Sequence, residues 1–133
     1  MLTQIDHIGI AVKNLDTAIP LYEKLLGCVC YKKETVPTEG VTTAFFKCGE
    51  TKIELLAATG SDSAIARFIE KRGEGIHHIA FRTDNINSEM LRIIKEGFKL
   101  IHSEPMEGAD NMMINFIHPK SAGGVLVELC MEK

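Results

Sequence analysis

The sequence contains no run approaching the roughly 20 apolar residues that a membrane-spanning helix needs. Its N-terminus also lacks a basic segment leading into a short apolar stretch. These absences predict a cytoplasmic protein. Basic charge is not in excess either: 15 Lys and Arg stand against 18 Asp and Glu, giving a formal net charge of −3. That balance excludes a general electrostatic surface for nucleic acid, so any anionic ligand needs a local basic patch. No C-x-x-C pair occurs among Cys28, Cys30, Cys48 and Cys130, which excludes a zinc ribbon and predicts four reduced, mostly buried thiols. There is no Gly-rich phosphate loop, heptad run or low-complexity tract.

What the chain does contain is a sentence written twice. Residues 4–15 read QIDHIGIAVKNL and residues 75–86 read GIHHIAFRTDNI. Aligned without a gap, Ile5 meets Ile76, Asp6 meets His77, His7 meets His78, Ile8 meets Ile79 and Asn14 meets Asn85. One histidine of the doublet has a twin and the other does not.

The flanking segments repeat as well. Alternation in Ile5–Val12 predicts a strand, and LDTAIPLYEKLLG predicts a helix with Asn14 as N-cap and Gly27 as its stop. Pro20 lies within that pattern and predicts a helix bent or started late. Strands are predicted at Cys28–Thr35, Thr42–Cys48 and Lys52–Ala57, the last two joined by the tight CGET turn. SAIARFIEKR predicts a linking helix that ends at Gly73.

The second half repeats this order. It has a strand at Ile76–Thr83, a helix at Asn87–Glu96, then strands at Phe98–Ser103, Met112–Ile117 and Val125–Met131. With 133 residues, 45% hydrophobic, the length fits one domain. The predicted architecture is α+β: two tandem βαβββ modules, residues 1–58 and 75–133, forming curled sheets around a shared cavity, with a linker helix within 59–74.

Duplication makes particular side chains candidates for one site. KIELLA ends the first copy and LVELCM the second, so Ile53, Glu54 and Leu55 correspond to Val127, Glu128 and Leu129. Side chains alternate across a strand, so each glutamate faces away from its aliphatic neighbours. If the aliphatics face the helices, the glutamates face the concave side. The same rule sends His77 and His78 to opposite faces. His7, Glu54, His78 and Glu128 then form an N2O2 set whose formal charge of −2 balances a divalent ion. Imidazole with carboxylate suits zinc, nickel, cobalt, iron or manganese rather than calcium.

The runs DHIGIAVKNLDTAIPLYEKLLG, SAIARFIEKRGEGIHHIAF and FIHPKSAGGVLVEL resemble the methylmalonyl-CoA epimerase family, within the vicinal oxygen chelate superfamily that also contains glyoxalase I. The resemblance covers essentially the whole chain. It implies metal ligands at His7, His78 and Glu128, with Glu54 completing the set, a divalent ion often assigned as cobalt, and an acyl-CoA thioester substrate. Some members carry a further carboxylate just after the E-G-V run, where this chain has Thr42 and Thr43. Glu128 is the favoured acid/base and Glu54 its partner.

In HPKSAGG, the paired glycines permit a tight turn while His118, Lys120 and Ser121 are candidates to donate to a substrate carboxylate or phosphate. Lys32, Lys33, Arg67, Lys71 and Arg72 form basic clusters, most of which read as solvated faces. The two modules can close the site within one chain, while open sheet edges predict that the chain pairs as a homodimer.

Three other functions fit parts of the pattern. Glyoxalase I uses the same ligand arrangement on a glutathione hemithioacetal, but HPKSAGGVLVEL favours the epimerase. An iron dioxygenase needs only a facial triad, which leaves Glu54 unexplained. A metal-free binding module of the same fold would use the cavity without chemistry.

Overall fold

The computed structural model describes all 133 residues. In chain order the elements are β1 (Leu2–Ala11), α1 (Leu15–Leu26), β2 (Lys32–Val36), β3 (Val41–Cys48), β4 (Thr51–Ala58), α2 (Ala64–Arg72), β5 (Gly75–Thr83), α3 (Ile86–Lys95), β6 (Met106–Glu107), β7 (Met112–Ile117) and β8 (Val127–Glu132). The order strand, helix, three strands occurs twice, with α2 between the copies, so the chain has the α+β class that the repeat implies. No helix is long and apolar enough to cross a membrane.

Packing divides the chain into two compact units, His7–His77 and Met1–Asp6 with His78–Lys133. Both divisions fall inside strands, so β1 gives its first residues to the later unit. There the Arg82 guanidinium binds the buried Asp6 carboxylate at 2.6 and 2.9 Å and reaches Glu132 at 2.9 Å.

In the unit His7–His77 the strand order is β2-β3-β4-β1, with β1 parallel to β4 and the other pairs antiparallel. A parallel pair requires a crossover, which α1 helps to supply. The Asn14 side chain accepts from Asp16 N at 2.7 Å to begin α1, and Gly27 ends it at φ 70°. The helix is neither delayed nor interrupted at Pro20. Both Pro20 and Asp16, whose carbonyl loses its helical partner, are exposed, so water can satisfy that oxygen. Ala18 packs with Val12, Ala44, Phe46 and Leu55, and Ile10, Ile19, Tyr22 and Ile53 surround them. Ile53 and Leu55 therefore face the helix. The β3–β4 hairpin turns at Gly49, whose φ of 64° suits the first central position of a type II′ turn.

In the other unit the order is β5-β8-β7-β6, with β5 parallel to β8. Asn85 caps α3 by accepting from Ser88 N at 3.0 Å. Ile86, Met90 and Ile93 pack on Ile117 and Leu129. The β6–β7 connection passes through Asp110 and Asn111 at φ 60° and 58°, positive values that Asp and Asn tolerate better than other side chains.

Three expectations are corrected. Residues 98–103 form no strand: only the bridge Leu100↔Ile117 is present, and the edge strand is β6. The ladder stops because the buried Asn115 side chain takes over at His102, accepting from His102 N at 3.2 Å and donating to His102 O at 2.9 Å. The strand expected from Cys28 starts at Lys32. Only Cys130 of the four free thiols is buried, because Cys28 and Cys30 precede β2 and Cys48 ends β3 at the hairpin turn.

Candidate active site

The first half-site is built on β1 and β4. Parallel registry sets His7 beside Lys52 and Gly9 beside Glu54, while antiparallel registry sets Phe45 of β3 opposite Glu54. These residues share the face opposite Ile53 and Leu55. His7 and Glu54 are 5% and 4% exposed, and His7 Nδ1 lies 3.2 Å from Glu54 Oε2. Burying a carboxylate is costly unless charge or hydrogen bonds compensate it. One compensating group is Lys52, itself only 5% exposed, whose ammonium lies 4.0 Å from the same oxygen.

The second half-site repeats this on β5 and β8. Ala80 is level with Glu128, and Phe116 of β7 is opposite it. His78 and Glu128 are 6% and 4% exposed, with Nε2 and Oε1 3.3 Å apart. The Phe116 ring meets the His78 ring edge-on at 5.9 Å. Leu129 and Val127 lie on the other face, against α3. The aliphatic-glutamate-aliphatic pattern thus aims each glutamate away from its helix in both copies.

The histidine doublet is split. His77 packs edge-on against Phe68 of α2 at 4.9 Å, and burial lowers its pKa from 6.5 to about 4. It is a packing residue that stays neutral at physiological pH. Its repeat counterpart Asp6 is instead held by Arg82, so the two positions have diverged.

The predicted substrate-binding residues occupy a turn of 3-10 helix at Pro119–Ser121. His118 Nδ1 accepts from Lys120 N at 3.1 Å. Ser121 Oγ donates to His118 O at 2.9 Å and accepts from Lys99 N at 3.2 Å. Those atoms are engaged in shaping the turn, whereas the Lys120 side chain is exposed. Of the two threonines after E-G-V, Thr43 is 1% exposed and opposite Leu56, which puts it on the Glu54 face. Thr42 faces away and shares a 3.0 Å hydrogen bond with Thr35. Sequence reasoning missed Lys52. The signal available was its i, i+2 spacing from Glu54, which puts both on one strand face.

Each unit therefore contains one buried imidazole nitrogen donor and one buried carboxylate, ligand types that suit a first-row divalent ion. Residues 6–116 match the family described as the Glyoxalase/Bleomycin resistance protein/Dioxygenase superfamily, and the chain belongs to it. Within that class several of its relatives are epimerases. It is 38% identical over 131 residues to the ethylmalonyl-CoA/methylmalonyl-CoA epimerase of Cereibacter sphaeroides, covering 97% of this chain and 98% of the relative. The crystal structure of methylmalonyl-CoA epimerase from Mycobacterium tuberculosis is similar at TM-score 0.95 and 37% identity, covering 99% of this chain and 89% of that one. A methylmalonyl-CoA epimerase solved in complex with methylmalonyl-CoA and NH4+ is similar at TM-score 0.95 and 36% identity, covering 99% and 96%.

Proposed function

We propose that this chain is an isomerase that epimerises methylmalonyl-CoA at the carbon between thioester and carboxylate, using one divalent ion held by His7, Glu54, His78 and Glu128. The observation that carries the reading is the duplicated pair: in each copy a buried histidine lies within about 3.3 Å of a buried glutamate. The relatives' names and the bound methylmalonyl-CoA of one of them supply the substrate class. When bound, the ion supplies Lewis acidity that lowers the cost of charge developing on the thioester oxygen; cobalt is favoured, and zinc, nickel or manganese suit the same donors.

The chain's own residues move the proton. Glu128 accepts the α-proton on one face through a carboxylate oxygen, and the C–H electron pair passes into the enolate. Glu54, protonated and released from its place as a ligand, donates to the carbon from the other face, re-forming C–H with inverted configuration. The reverse reaction exchanges the roles. Glu54 suits the second role because it is the one carboxylate in β3 and β4, with Thr43 on its face in place of an acid. Phe45 and Phe116, each opposite a glutamate, give both carboxylates an apolar neighbour. Lys120 offers its exposed ammonium to a substrate carboxylate or phosphate.

Protein depleted of metal and reloaded with single ions is tested for deuterium wash-in at the α-carbon of methylmalonyl-CoA. Exchange that depends on the ion is expected. Absence of exchange with every ion, together with turnover of a glutathione hemithioacetal, overturns the assignment.

A further inference from the structure

Lys52 is a charged side chain that the epimerase reading does not use, yet it is only 5% exposed. Lysine is almost never buried to this extent unless paired, and burying an ammonium costs several kcal/mol in general. Its position is specific. It stands two residues before Glu54 on the same strand face, level with His7 on β1, and its Nζ lies 4.0 Å from Glu54 Oε2, the oxygen that also meets His7 Nδ1. In the second copy the corresponding sequence is L-V-E, so Leu126 stands where Lys52 does. The duplicated frame therefore keeps both histidines and both glutamates but charges only one half.

We infer that Lys52 is a positioning residue for Glu54: its ammonium, paired with Oε2, sets the orientation of the carboxylate for proton transfer on one face of the substrate carbon. This inference rests on the epimerase reading. Two consequences follow from the ion pair. With the ammonium removed, a positive charge beside Glu54 is lost, so a divalent ion binds more tightly. Proton transfer on the Glu54 face slows while the Glu128 face is untouched. A lysine that only fills space has neither consequence, because loosening the half-site weakens the ion and slows both faces together.

The test uses Lys52→Met, which keeps length and packing, Lys52→Gln as a second neutral variant, and Lys52→Arg to retain charge. Co2+ affinity is measured by competition with a chelator. Deuterium wash-in is then followed separately from the (2R) and (2S) epimers of methylmalonyl-CoA. The two neutral variants should bind Co2+ about tenfold more tightly. Exchange should fall about ten- to a hundredfold from one epimer, the same one affected by Glu54→Gln, with little change from the other. Lys52→Arg should recover part of the asymmetry. Weakened Co2+ binding in both neutral variants, or equal loss from both epimers, overturns the inference. If wild-type protein itself exchanges no deuterium, the epimerase reading fails, and the affinity arm still decides whether Lys52 opposes the cation through Glu54.

Discussion

The two half-sites differ less in what they hold than in what stands beside it. His7 with Glu54 and His78 with Glu128 are separated by 3.2 and 3.3 Å and are nearly equally buried. A phenylalanine is opposite each glutamate, Phe45 in one copy and Phe116 in the other. Beside Glu54, however, is a buried ammonium, whereas the second copy has a leucine at that place and an aromatic edge against its histidine. In the proposed mechanism the two carboxylates act on opposite faces of one carbon, and nothing requires them to have the same neighbours. Duplication supplies the pair, and divergence of their neighbours makes them unequal.

The comparison is broken most severely at the proposed ligands. His7→Ala and His78→Ala should each lower Co2+ affinity by at least about a hundredfold and abolish exchange, since ligand loss exceeds the effect of losing an outer partner. Loss confined to one histidine would break the equivalence of the halves. Next come the glutamates. Glu128→Gln and Glu54→Gln should each reduce epimerisation by roughly a hundred- to ten-thousandfold, with wash-in failing from opposite epimers. Both failing from the same epimer would remove the two-face mechanism.

The doublet gives a smaller effect, read in stability. Burial holds His77 at a pKa of about 4, below the 6.5 of the unfolded chain, so the unfolded state binds more protons between these values. Stability contributed by neutral His77 is complete above pH 6.5 and is lost as pH falls toward 4. Between pH 7 and pH 5 the wild type should lose on the order of 1–2 kcal/mol from this group, and His77→Phe should lose correspondingly less, in urea unfolding at the two values. An unchanged pH dependence in the variant would show that His77 is not the titrating group. Smallest of all, Lys120→Ala should raise KM for methylmalonyl-CoA a few-fold and leave kcat near wild type, because an exposed ion pair contributes little.

Much of this was legible before any coordinates. The helix caps Asn14 and Asn85 are local, and so is the choice of which residue of I-E-L or V-E-L faces the helix, because strand alternation fixes it within three residues. The repeat likewise separated His78 from His77. The strand predicted at residues 98–103 was not legible, because the amide that ends its ladder comes from Asn115, a residue in another strand. Thr42 and Thr43 looked interchangeable until pairing with β4 put Thr43 on the Glu54 face.

The sequence by itself therefore determined the duplicated frame, the two histidine-glutamate pairs and the face each glutamate takes, since these depend on period and on comparison of one copy with the other. Only the tertiary structure decided that Lys52 is buried beside Glu54, that Asp6 is held by Arg82 while His77 packs on Phe68, and that the packing units divide within β1 and β5. Burial and ion pairing are set by neighbours distant in the chain. A lysine two residues from a glutamate reads the same whether the strand face beneath it is open to water or closed.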